Sequence, residues 1–259
     1  SESFMRTHPA TPMKQSNLIK VLSRQTKAKV DLVPHEVVTL GPAAILGELN
    51  RLRAAGSRYA IVDAVTTRNL RDIGTACRDI KLITGASGAA MALPKNFRRA
   101  GLMGPDSGAD ELPKATGYQA VVAGSCSEAT LAQVAHMKKT CPAFFVDGRK
   151  LGGKRDIAKE ALDWAKPKLA DGPVLIYSST NAETVKKIQR KHGIQKSRNL
   201  IEDCLAKISK GLVKAGVGQL VVAGGATSGG TIKALKIHSL RIGHKIDPGA
   251  PWTMTHFVF

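Results

Sequence analysis

Aromatic residues are scarce in this chain, 4% of 259 residues, so any core has to be assembled from Ala, Val, Leu and Ile. Long apolar runs are missing as well: none approaches the roughly 20 residues that span a bilayer, and no basic stretch leads into an apolar secretory segment near residue 1. The expected protein is therefore cytoplasmic, with no membrane partner. Acidic residues are few, 20 Asp and Glu against 39 Lys and Arg, which leaves a formal net charge of +19. That excess attracts phosphate-bearing ligands and, without specificity, nucleic acid. Recognisable finger, basic-zipper and RNA-stacking motifs are missing, and the basic residues are spread over many segments, so specific nucleic-acid recognition is not expected. Cys77, Cys126, Cys141 and Cys204 show no close CxxC or Cys/His spacing, which argues against a metal site and for reduced thiols. Cys126 sits where a helix N-terminus can lower a thiol pKa. A small side chain packed in a tight turn is its plainer role.

What is present in quantity is small residues at strand-to-helix turns. GSCSEAT at 124–130 and GGATSGG at 224–230 each follow a short apolar run, 119–123 and 219–223, and each opens a segment that can form a helix. Small residues at such a turn let the backbone approach an anion, and the exposed amides with the positive helix end stabilise its charge. A phosphate or nucleotide site is one reading. Two tight turns of an ordinary α/β protein is the other, because glycine and serine suit turns equally well. Neither string has the spacing of a Walker A loop or a dinucleotide fingerprint.

The chain divides after LPKNF at 93–97, where a stretch rich in Gly, Pro and Asp runs to Pro113 and reads as an exposed linker. Before it, strands are predicted at 29–34, 59–62 and 81–84, with helices at 41–53 and 67–80. After it come strands at 119–123, 143–146, 174–177, 219–223 and 239–242, with helices at 127–139, 154–169, 182–191 and 201–215. A polar turn follows the strand at 174–177. The connections are long enough for helical crossovers, which favours parallel sheets and an α/β architecture. Two domains are expected, residues 1–112 with the linker and residues 113–259.

Other candidate ligand turns lie in the first domain. Asp63, in IVDAVT at 61–66, stands at a strand end where a carboxylate often meets a ligand, and capping suits it equally. TGASGAAMALP at 84–94 can present backbone donors, or permit close packing. THPATPM at 7–13, with His8, can form a substrate loop or an exposed connection.

In order along the chain, HPATPMKQSNL at 8–18, IVDAVT, TGASGAAMALP, GSCSEATLAQV at 124–134, GGATSGG and LRIGHKIDPGAPW at 240–252 resemble the four-carbon acid-sugar kinases. The resemblance implies an acid-sugar-binding α/β domain followed by an ATP-binding α/β domain with a largely parallel sheet. It implies ATP and Mg2+ as cofactors and phosphoryl transfer to the 4-hydroxyl of a four-carbon 3-oxo acid sugar. Ser127, Gly225, Ala226, Thr227 and Ser228 become nucleotide-binding residues, with Gly224 completing the turn. Asp63, Gly85, Ser87 and Gly88 would face the sugar. Two carboxylates of the family pattern are replaced, by Gln15 and by Ala226, and THFVF at 255–259 departs from a glycine-containing tail. The family's Asp-Asp-x-Thr-Gly-type segment is not in the chain. The expectation is therefore a fragment lacking the amino-terminal part of the sugar domain, with a further polypeptide region as partner. A homo-oligomer and a non-catalytic nucleotide or sugar-phosphate-binding module stay open.

Overall fold

The computed structural model describes residue 6 and residues 12–105, 107–247 and 250–255; His8 lies outside them. Two compact units emerge. One holds the chain up to Glu111 together with Ile242–Trp252, the other Leu112–Arg241 with the residues from Thr253.

The first unit is built on a βαβ crossover. Helix α1 (Leu18–Ser23) starts where the Asn17 side chain accepts the Lys20 amide at 3.0 Å. Strand β1 (Val30–Val33) leads through α2 (His35–Thr39) and α3 (Pro42–Ala54) to β2 (Tyr59–Val62), which pairs parallel to it from Val30↔Tyr59 to Val33↔Val62. Gly41, at φ 94°, makes the turn into α3, and Pro42 occupies the first helical position, where a missing N–H costs nothing. Val33, Val38, Ile45, Leu52 and Ala76 form the core. Helices α4 (Thr67–Ala76) and α5 (Leu93–Arg99) follow, separated by a short 3-10 turn, Ser87–Ala90.

Two expectations fail here. Residues 81–84 form no strand: Leu82 is 85% exposed, and without a burying partner the short Leu82–Ile83 apolar pair has nothing to hold it extended. The helix predicted over 67–80 stops at Ala76, where the cap amide of Cys77 turns back to Ile73 O.

The second unit is a parallel sheet with helices on both faces. Its elements run β3 (Tyr118–Ala123), α6 (Glu128–Met137), β4 (Ala143–Phe145), α7 (Ile157–Ala165), β5 (Val174–Tyr177), α8 (Ala182–His192), α9 (Ile194–Lys214), β6 (Val217–Ala223) and α10 (Gly225–Ala234). The strand order is β4-β5-β3-β6, all parallel. Alternation along β5 shows the layering, because successive side chains point to opposite faces. Val174 and Ile176 pack with Ala161, Leu205, Ile208 and Leu212 of α7 and α9, whereas Leu175 and Tyr177 pack with Val134 and Met137 of α6. Helix α9 begins seven residues before the predicted start at 201, directly after Gly193, whose φ of 78° separates it from α8. Its fully buried Leu205, Ile208, Ser209 and Leu212 fall on one helical face.

Strands β7 (Arg241–Asp247) and β8 (Ala250–Met254) make a separate two-stranded sheet. The prediction at 239–242 caught only the start of β7 and missed β8. Among the described residues no helix is long and apolar enough to cross a membrane.

Candidate functional site

In the second unit the carboxyl ends of β3 and β6 lie side by side, with Val122↔Val222 and Ala123↔Ala223 in register. The next residues are Gly124 and Gly224, so the two glycine turns, one hundred positions apart in sequence, leave the sheet together. The Gly124 and Ser125 amides both donate to Ala223 O, at 3.0 and 3.3 Å. Glycine is required at each. A β-carbon on Gly124 would fall on Thr227 Oγ1 and lie 2.8 Å from Leu205 Cδ1. Gly224 has φ 128° and ψ 131°, a region closed to residues with a side chain, and a β-carbon there would also stand 3.1 Å from the Ser125 amide.

The helices that follow begin differently. Ser127 caps α6: its hydroxyl accepts the Thr130 amide at 3.2 Å and donates to Thr130 Oγ1 at 3.0 Å, while its own amide donates to Ser125 Oγ at 3.2 Å. Gly224 offers α10 no side chain. The first helical bond runs from the Ser228 amide to Gly224 O at 2.8 Å, and the Ser228 hydroxyl lies 3.5 Å from Val222 O. The amides of Gly225, Ala226 and Thr227 thus have no acceptor within the helix. Gly225 and Ala226 are exposed and Thr227 is buried. Uncapped amides at the positive end of a helix are suited to an anion.

Carboxylates are sparse at this edge. Glu128, in the first turn of α6, is exposed. Asp147, just past β4, accepts from Arg149 Nε and Nη2, and this guanidinium fork holds its carboxyl below the usual aspartate range. It is committed to Arg149 rather than free for a cation. Among the described residues no group of three or more His, Cys, Asp or Glu could hold a metal. The thiols are all unpaired; burial pushes Cys77 up and Cys204 up to about 11, while Cys126 is half-buried in the first turn.

The sugar-side candidates belong to the first unit. Asp63 directly follows β2, is half-buried, and donates its amide to Val33 O at 3.1 Å. No hydrogen bond or ion pair of its carboxylate occurs among the described residues. The loop beyond is pinned by Asn69, a residue sequence reasoning missed. Its Oδ1 accepts the Val65 and Thr66 amides at 3.2 and 2.9 Å, and the Thr66 hydroxyl in return accepts the Asn69 amide at 3.2 Å. The signal was legible as T-x-x-N at a helix start, a variant of the capping box. Gly85 and Ser87 are exposed, whereas Gly88 packs so tightly on α4 that a β-carbon would lie 3.0 Å from Leu70 Cδ1. Among the described residues no hydrogen bond joins Asp63 to Gly85, Ser87 or Gly88, and Gly88 lies against Leu70 of α4. Gln15 is spent locally, accepting the Asn17 amide at 3.0 Å.

Comparison with known proteins assigns a family model to each part of the chain. Residues 120–258 match the nucleotide-binding C-terminal domain, and residues 1–93 match the sugar-binding N-terminal domain. The chain is 43% identical to a 3-oxo-tetronate kinase of Burkholderia multivorans over 255 residues and 42% identical to one of Pseudomonas fluorescens over 256. In both cases 98% of this chain and 59% of the relative are covered, so the chain spans about three fifths of these proteins. A solved structure from Salmonella typhimurium LT2 superposes with a TM-score of 0.74 at 31% identity, over 97% of this chain and 60% of that one. A Haemophilus influenzae protein does so with a TM-score of 0.61, at the same identity and coverage.

The match over residues 1–93 corrects the expectation of a chain lacking its amino-terminal sugar-binding part, and with it the partner region invoked to complete that part. The matched segment holds the β1–β2 crossover with its own core, where strands at 29–34 and 59–62 were expected. With a sugar-binding N-terminal domain and, over more than half of its residues, a nucleotide-binding C-terminal domain, the chain belongs to the four-carbon acid-sugar kinase family.

Proposed function

We propose that the chain serves an ATP-dependent kinase that phosphorylates the 4-hydroxyl of a four-carbon 3-oxo acid sugar. The observation carrying this reading is the in-register pairing of two glycine turns beside an uncapped α10, because it concentrates donors and positive helix potential where a polyphosphate needs them. The relatives named 3-oxo-tetronate kinase support the substrate class.

In this reading Gly225, Ala226, Thr227 and Ser228 offer amides and hydroxyls to the phosphates, Gly224 sets the turn, and Ser127 holds the neighbouring helix end against it. Magnesium suits the site as a phosphate-bound ion carrying its own waters, since Mg2+ commonly relies on substrate oxygens with few protein ligands; it would neutralise phosphate charge. On the sugar side, Asp63 has the free carboxylate, and Gly85, Ser87 and Gly88 supply the small residues of the adjoining turn. Asp63 orients the sugar's hydroxyls. As the 4-hydroxyl oxygen bonds to the γ-phosphorus, the bond from that phosphorus to the β–γ bridging oxygen breaks, the hydroxyl's proton passes to solvent water and ADP leaves.

The test combines calorimetry with ATP and ADP, with and without magnesium, and ADP release in the presence of four-carbon 3-oxo acid sugars. Nucleotide binding with sugar-dependent ADP release is the expected result. Absence of nucleotide binding would overturn the reading, and binding without transfer would convert it to a non-catalytic nucleotide-binding module.

A further inference from the structure

We propose that Ser178 and Ser179 form a third, hydroxyl-bearing wall of the nucleotide site and donate to phosphate oxygens, an inference that rests on the nucleotide reading of the second unit. Strand β3 lies between β5 and β6, and Ala123 pairs with both Tyr177 and Ala223. The first residues beyond that line are Ser178, Gly124 and Gly224. At the usual strand spacing, Ser178 and Gly224 are about 10 Å apart across the sheet, a gap suited to an extended phosphate chain. The Ser178 amide donates to Ala123 O at 2.8 Å, which fixes the turn at the level of Gly124.

The two serines are out of keeping with a purely structural turn. They are only 6% and 4% exposed, and both hydroxyls are buried without a hydrogen-bond partner among the described residues. Buried hydroxyls are nearly always satisfied, because leaving one unpaired forfeits its water contacts for nothing. They do not cap the next helix either: the Thr184 amide is accepted by Asn181 Oδ1 at 2.9 Å. Alanine would fill the same volume without the loss. A ligand oxygen arriving at the carboxyl edge of the sheet satisfies both groups after rotation about a single side-chain bond. The uncapped amides of α10 and these orphaned hydroxyls are independent features, and they converge on one edge of one sheet.

The test uses the 259-residue chain, with Ser178→Ala, Ser179→Ala and the double variant. ADP and adenosine are titrated against each, and thermal melting is recorded. Each substitution should weaken ADP about five- to tenfold, the net worth of one typical hydrogen bond. Adenosine should bind as before, and melting should be unchanged or raised because an unsatisfied hydroxyl has gone. Unaltered ADP affinity in both single variants and the double would overturn the inference and leave the nucleotide reading intact. Lower melting with equal losses for ADP and adenosine would also overturn it, by assigning the serines a structural role. If the unsubstituted chain binds no ADP, the nucleotide reading fails first and takes this inference with it.

Discussion

The two glycine turns begin alike and end differently. Both leave adjacent parallel strands at the same level, and each needs glycine because the other turn stands against it. The first then closes its helix with its own serine, so the donors of α6 are partly satisfied from within. The second begins with a residue that has no side chain, so the donors of α10 stay available. Similar strings at equivalent places thus acquire different chemistry from one position, Ser127 against Gly224. A self-capped helix end is a stable support, and an uncapped one is a binding surface whose unpaired amides gain most from an anion.

This comparison can be broken in four ways, taken from the largest expected effect downward. Gly224→Ala forces a side chain onto φ 128° and pushes against Ser125. It should cost about 1–3 kcal/mol in stability and remove detectable ADP binding, measured by urea denaturation and calorimetry. Gly124→Ala drives a methyl onto Thr227 and should cost about 1–3 kcal/mol as an overpacked contact, with weaker ADP binding because α10 is displaced. Wild-type stability in that variant would show that the turns do not touch as described. Ser127→Ala removes the cap of α6 and should cost about 1 kcal/mol. Its effect on ADP affinity should be smaller than that of Gly224→Ala, and the reverse order would make the first turn the principal binding element. Ala226→Glu places a carboxylate in the first turn of α10, where the helix dipole stabilises it by about 0.3–1 kcal/mol. ADP should bind this variant more weakly in chelator and recover in magnesium; identical affinities under both conditions would mean that position 226 lies away from the phosphates.

The sequence carried the site of these turns but not the contrast between them. Strand ends at 123 and 223 were readable because compact apolar runs meet glycine, and the paired parallel geometry followed from long helical connections. Which turn is capped was harder to read, since Ser127 and Ser228 are both serines near a helix start. Only the fold shows that Ser127 holds the cap position while Ser228 lies four residues past it, in the helix. The failed strand at 81–84 has a similar cause: its apolar pattern is local, while a strand also requires a partner. Ser178 and Ser179 read as an ordinary polar turn, because burial without a partner leaves no trace in residue type. In the first unit, Asp63 was legible as a strand-end carboxylate. The Asn69 clamp behind it was legible as T-x-x-N but missed, because asparagine stands where a capping box more often has Glu or Gln.

The most direct measurement is an ATP titration followed by amide chemical shifts in the 15N-labelled chain. The account predicts that the Gly225, Ala226 and Thr227 amides move first and furthest, with smaller changes at 127–130. Shifts concentrated at 127–130, or at residues remote from both turns while 225–227 stay still, would contradict it.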